Sequence, residues 1–188
     1  METKRLLLVK VSSLGDLLFA LPALTDACQA LPGIRFDWVV EKAFAEIPTW
    51  HPGIDRVIPL GLRHWRRRPI SLFGPEGAWP FLRHLRERHY DQVLDAQGLL
   101  KSGIISALAR GRKSGFDAPS ARERSSAWFY TQRHPVPQGD HAISRVRRLF
   151  AMALGYPLPD SPPDYGLDPE RLPPLSPQTA AAFLPPLP

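Results

Sequence analysis

The 188-residue chain contains a single cysteine, Cys28, so it can form neither an internal disulfide nor a Cys-rich zinc site. Cys28 shares a helical pattern with Leu24 and Leu31, where a thiol serves as buried filler rather than as a nucleophile. Long apolar runs are also missing: no stretch approaches the ~20 residues that span a bilayer. The N-terminus, METKRLLLVKVSS, places basic residues before an apolar run as a signal peptide does. Lys10 interrupts that run, Asp16 follows, and no small-residue cleavage site comes after it. The segment therefore reads as the first strand of a cytoplasmic protein. Glycine is scarce where phosphate loops need it. The turn after this strand has only Gly15, which excludes both G-x-G-x-x-G and the P-loop. There is no D-x-D pair for a metal–nucleotide site. The six histidines (His51, His64, His84, His89, His134, His141) fall on separate elements or at unhelpful spacings, which points to exposed or packing roles.

What is present describes one α/β domain. The length suffices for one good-sized core, and 44% hydrophobic residues with a mean hydropathy of −0.20 fit a water-soluble fold. The net charge of +6 and pI of 9.9 point to an anionic partner without choosing among nucleic acid, a phosphorylated lipid surface and a small phosphorylated molecule.

Residues 6–11 (LLLVKV) form a nearly continuous apolar strand, as in a parallel sheet buried on both faces. A helix follows to about Ala30 and stops at Pro32–Gly33. Pro22 falls inside it, so the segment should have a short first turn after Asp16 and restart near Leu21. Further strands are expected at 35–40, 56–59, 91–96 and 113–116. Helices are expected at 43–50, 78–88, 99–110 and 141–154, with an irregular basic loop near 61–74 and an irregular or helical turn at 127–130. Helix 141–154 is amphipathic through Ile143, Val146, Phe150 and Leu154 and ends at Gly155. Alternating strands and helices imply a Rossmann-like parallel sheet with helices on both faces, whose ligands sit outside the carboxyl ends of the strands. From residue 157 onward the chain holds 11 of its 22 prolines, the composition of an extended linker or tail.

Three stretches carry chemistry. In "SSLGD", Ser13-x-x-Asp16 fits a capping box. On these residues alone the cap is the favoured reading; the competing one is a carboxylate projecting into the cleft above a sheet, with Gly15 letting the loop approach a ligand. In "LRHWRRRP", Trp65 sits among Arg63, Arg66, Arg67 and Arg68, and no helical or strand period explains the cluster. The bland reading is a solvated basic loop. In "DAQGLLKS", Asp95 and Gln97 either shape the floor of a cleft or hold a loop together, and Lys101 adds positive charge at the next helix start.

The opening through "RVIP", together with "LRHWRRR", "YDQVLDAQGLLKS", "SGFDAPSARE" and "HAISRVRRLFAMALGY", resembles the ADP-heptose glycosyltransferase family in its N-terminal half. The match runs in order to residue 156. The resemblance implies the first half of a glycosyltransferase B-type fold, with residues 1–156 as a Rossmann-like acceptor-binding domain and 157–188 as linker or truncated tail. The donor-binding half would then be absent and the isolated chain inactive. It implies an inverting, metal-independent transfer of heptose from ADP-heptose to Kdo–lipid A in the lipopolysaccharide inner core, with ADP-heptose as donor substrate and no cofactor. The enzyme would be cytoplasmic and peripheral to the inner face of the inner membrane. Asp16 takes the place of the family's proposed catalytic base. The acceptor-binding positions implied are Ser12, Ser13, Gly15, Arg63, Arg66, Arg67, Gln97, Lys101 and Arg122, whose guanidiniums suit phosphates and carboxylates. The rival reading is a basic nucleic-acid-binding module, favoured by the pI and by Arg beside Trp, but it lacks any RNA- or DNA-binding motif.

Overall fold

The computed structural model describes residues 4–68, 73–74 and 77–172. Six parallel strands form one sheet: β1 Arg5–Val9, β2 Arg35–Glu41, β3 Ile54–Leu60, β4 Gln92–Asp95, β5 Arg112–Phe116 and β6 Gln132–His134. Their order across the sheet is β3-β2-β1-β4-β5-β6. The fold is Rossmann-like. β1 shows why it needs cover on both faces. Successive side chains of a strand point to opposite sides, so Leu6 and Leu8 enter one core while Leu7 and Val9 enter the other. The first core lies beneath α2 (Leu21–Ala30) and α6 (Ala142–Leu154), around Phe36, Trp38 and Phe150. The second includes Leu85 from α4 (Ala78–Leu85) and Ile105 from α5 (Leu100–Leu108).

The helical segment after β1 divides as Pro22 dictates. α1 covers Leu14–Leu18, and α2 restarts at Leu21 with Pro22 in its first turn, where a missing N–H costs nothing. α6 ends on Gly155 with φ +77°, and Ala151 O accepts from the amides of Gly155 and Tyr156 at 2.9 and 3.1 Å.

The sequence reading is refined in four places. Residues 43–50 form two short 3₁₀ turns, Lys42–Phe44 and Ile47–Trp50, rather than one helix. The turn expected at 127–130 belongs to a longer 3₁₀ helix, Arg124–Phe129. β6 was not anticipated, because Gln-Arg-His carries no apolar alternation. The basic loop contains a helix, α3 (Leu62–Arg67), which packs Leu62 and Trp65 against the second core, with Trp65 edge-on to Phe81 at 6.0 Å. Two anchoring side chains three residues apart suffice for a helix this short, and the arginines around them hid the pattern.

The start of the proline-rich segment lies against the domain. Arg147 donates to Ser161 O at 2.9 Å, Trp50 O accepts from the Asp168 amide at 3.1 Å, and Tyr165 packs on the first core. Residues 173–188 lie outside the described residues. Underneath, the buried Asp26 on α2 receives Arg147 of α6 through Nε at 2.6 Å and Nη2 at 3.2 Å. Removing one partner of such a pair strands the other charge. Asp26→Asn is therefore expected to cost about 3–5 kcal/mol in urea unfolding. The double change Asp26→Leu with Arg147→Met should recover most of that loss, since no ion is then left buried.

Candidate active site

In a parallel sheet every carboxyl end lies on the same rim, and a crevice opens where the strand order reverses. Here that point is between β1 and β4. β1 leaves the sheet through Lys10–Ser13, and β4 leaves through Ala96–Gly98. The amides of Val11 and Ser12 both donate to Gln97 Oε1, at 3.0 and 3.2 Å. Gln97 and Gly98 in turn donate their amides to Asp95 Oδ1 at 2.8 and 3.1 Å, and Tyr130 Oη donates to Asp95 Oδ2 at 2.6 Å. Gly115 makes this reach possible: a Cβ there would lie 2.5 Å from the Tyr130 ring. Burial pushes the Asp95 carboxyl up, and the hydrogen bonds it accepts pull against that rise. Gln97 is buried; it holds the loop through Oε1 and also lines the crevice cavity beside Asp16.

Asp16 stands in the first turn of α1 and accepts the Ser13 amide at 3.1 Å, as a capping residue would. It also faces the crevice. Both of its oxygens engage Arg122, Oδ1 with Nη2 at 2.6 Å and Oδ2 with Nη1 at 3.1 Å. The two readings of Asp16 are thus compatible. Burial alone would raise its carboxyl. The Arg122 fork, the charge on Lys10 and the Ser13 amide together hold it below the ordinary carboxylate value. Lys10 lies beneath, buried, with Nζ donating to Ala96 O at 2.9 Å. Burial lowers its ammonium to about 8, partly opposed by Asp16. Arg145 of α6 closes the far side, with Nη2 to Ser120 O at 2.6 Å and its guanidinium 5.2 Å over the Phe116 ring. Three cations therefore surround one carboxylate beside a cavity of about 30 Å³.

The other predicted positions divide in two. Ser12 and Ser13 on the β1–α1 loop, Gly15 in α1 and Lys101 at the start of α5 lie near Asp16 in the chain or in space, but none of them lines the cavity. Lys101 Nζ lies 3.5 Å from Ser12 Oγ, and the space beside Gly15 is open, with no atom within 4 Å of where a Cβ would stand. Arg63, Arg66 and Arg67 lie on α3, which follows β3 on the same rim, but no contact joins Arg63 or Arg67 to Asp16. Arg63 packs over Phe44 at 5.1 Å, and Arg63 and Arg67 line a second hollow with Lys42 and His64. The side chain of Arg66 lies outside the described residues. Beside α3 runs a groove of about 710 Å³ lined by Ile58, Trp65 and Phe81. His51 is a packing residue: burial lowers it to about 4, and its Nδ1 accepts the Gly53 amide at 3.0 Å. Among the described residues, no three His, Cys, Asp or Glu side chains group as a metal site would require, and no helix is long and apolar enough to cross a membrane.

A profile of glycosyltransferase family 9 (heptosyltransferase) matches residues 78–182, more than half of the chain. The chain belongs to this family. It is 53% identical over 170 residues to lipopolysaccharide heptosyltransferase 1 of Pseudomonas aeruginosa, covering 89% of this chain and 48% of that protein. Against the enzyme of the same name from Escherichia coli K12 the identity is 48% over 164 residues, covering 87% and 51%. In structure it resembles E. coli heptosyltransferase WaaC with ADP-2-deoxy-2-fluoro heptose, with a TM-score of 0.81 at 49% identity over 86% of this chain and 51% of that one. It thus spans about half the length of the curated relatives it matches. These structures carry the glycosyltransferase B-type fold, of which this Rossmann-like sheet is part.

Within this family 9 chain, sequence reasoning missed Lys10, Arg145 and Tyr130. Lys10 was visible as a lysine inside an apolar strand but was read only as an interruption. Two measurements check the geometry. Gln97→Leu removes the acceptor for the buried Val11 amide and should cost about 1–3 kcal/mol in urea unfolding. An NMR titration of labelled lysine should place Lys10 near pH 8. Because Asp16 favours the ammonium form, Asp16→Asn should move that midpoint lower. An unmoved or rising midpoint would separate the two groups.

Proposed function

We propose that these residues form the acceptor-binding half of a heptosyltransferase that moves heptose from ADP-heptose to Kdo–lipid A, with Asp16 as general base and no cofactor. The observation that carries this reading is a carboxylate lining the cavity at the strand-order reversal together with Lys10, Arg122 and Arg145, in a chain of this family. The acceptor hydroxyl oxygen attacks the anomeric carbon of the donor. The carbon–oxygen bond to the diphosphate breaks, ADP departs with the electron pair, and configuration inverts. The hydroxyl proton passes to Asp16. A carboxylate of pKa ~4 cannot ionise a free hydroxyl, but it accepts the proton as the transition state makes that proton acidic. The surrounding cations suit an acceptor bearing carboxylates and phosphates, and the guanidiniums of Arg63 and Arg67 on α3 extend that cationic track along the rim. The enzyme then works in the cytoplasm at the inner face of the inner membrane, where such a lipid acceptor is presented.

Asp16→Asn in a full-length family 9 enzyme built on this segment is expected to lower kcat by about 10²–10⁴-fold. Its melting temperature should stay within a few degrees, because the shape and much of the capping remain. Near-wild-type turnover would reduce Asp16 to a cap. Calorimetry on the 188-residue chain should register a Kdo–lipid A analogue that oligonucleotides do not displace, whereas displacement by oligonucleotides would favour a nucleic-acid-binding module.

A further inference from the structure

Asp16 as it stands is engaged on both oxygens and has little room beside it for an acceptor. Arg122 occupies both carboxylate oxygens at 2.6 and 3.1 Å, and the Ser13 amide adds a third donor at 3.1 Å. The adjoining cavity of about 30 Å³ has the volume of roughly one liquid water, too little for a sugar ring. The pair closes the site it belongs to. The two partners are unequally placed, however: the Arg122 side chain is 46% exposed and that of Asp16 only 14%. A ligand arriving from solvent meets the guanidinium first.

We infer that Arg122 is a specificity-determining residue that frees the base only for an acceptor bearing a carboxylate, by exchanging Asp16 for that group. This rests on the acceptor reading above and names what the acceptor must carry next to its reactive hydroxyl. A guanidinium fork set on two in-plane oxygens is already arranged for a like-for-like replacement, which favours a carboxylate over a phosphate. The exchange does not strand Asp16. Lys10 from the end of β1 remains charged beneath it, Arg145 faces the cavity from α6, and Lys101 of α5 lies beside Ser12. Losing the fork opens the cavity and raises the basicity of Asp16, so the carboxylate becomes a stronger base when the acceptor is in place. A neutral acceptor supplies nothing to draw Arg122 away.

The test is a carboxylate NMR titration of Asp16 in the 188-residue chain, with calorimetry on the same samples. The probes are a Kdo methyl glycoside, its carboxamide and lipid A bisphosphate without Kdo. In the free chain Asp16 should titrate below the ordinary carboxylate range. Arg122→Gln should raise it, and Arg122→Lys, which keeps charge but loses the fork, should fall between the two. Saturating Kdo glycoside should raise the wild-type midpoint, while the carboxamide should bind at least tenfold more weakly and leave it in place. In a full-length enzyme, the preference for the acid acceptor over its carboxamide should fall at least tenfold in Arg122→Gln. Heat of binding with an unmoved Asp16 would overturn the exchange and leave the acceptor reading standing. A midpoint moved by the bisphosphate alone would overturn carboxylate selectivity. Absence of binding by the glycoside and the bisphosphate alike would overturn the acceptor reading and the exchange with it.

Discussion

Two backbone amides at the end of β1 leave the sheet with no strand partner, and both are taken up by one side-chain oxygen, Gln97 Oε1. Everything at the crevice depends on that satisfaction. A buried N–H without an acceptor is costly, so the loop from Lys10 to Asp16 is committed to one path by the chain end of β4. Gln97 is itself placed by Asp95, which takes the Gln97 and Gly98 amides on one oxygen and Tyr130 on the other. The position of the candidate base is therefore set by a hydrogen-bond chain running from β5's neighbour Tyr130 through β4 to β1. That chain forms the floor of the crevice, where Gln97 lines the cavity beside Asp16.

The electrostatics build on this frame. Lys10 is held near Asp16 because its Nζ bonds the Ala96 carbonyl, one residue from Gln97. Its burial is unfavourable to the ammonium, which lowers it to about 8, and the carboxylate above offsets part of that cost. Arg122 and Arg145 add two further cations to the lining of the same cavity. A site with that excess favours an incoming acid group, which fits the basic character of the whole chain more specifically than net charge does.

The fold was legible wherever the pattern was periodic and local. The apolar run of β1 showed a strand covered on both faces, Pro22 divided α1 from α2, and Ile143, Val146, Phe150 and Leu154 drew the buried stripe of α6. The site was legible only in part. Asp16 stood out in its short motif, yet its partner Arg122 lies 106 residues away, and Gln97 lies 86 residues from Val11. No spacing rule links positions that far apart, because the sheet order brings them together. α3 was hidden for a different reason. Arg63 and Arg67 are exposed, and among the described side chains Leu62 and Trp65 anchor it, too few for a periodic signal. In the proline-rich segment composition described an extended chain, and its described part is extended backbone held on the surface by Arg147 and Trp50.

The central claim is that Asp16, at the reversal between β1 and β4, takes the proton of an acceptor hydroxyl. The most direct measurement is a crystal structure of this chain with a Kdo-containing acceptor analogue bound. The account predicts an acceptor hydroxyl within about 2.6–3.2 Å of an Asp16 carboxylate oxygen, the distance a general base requires. An acceptor seated in the groove beside Trp65 and Phe81, with no hydroxyl within reach of Asp16, would contradict it.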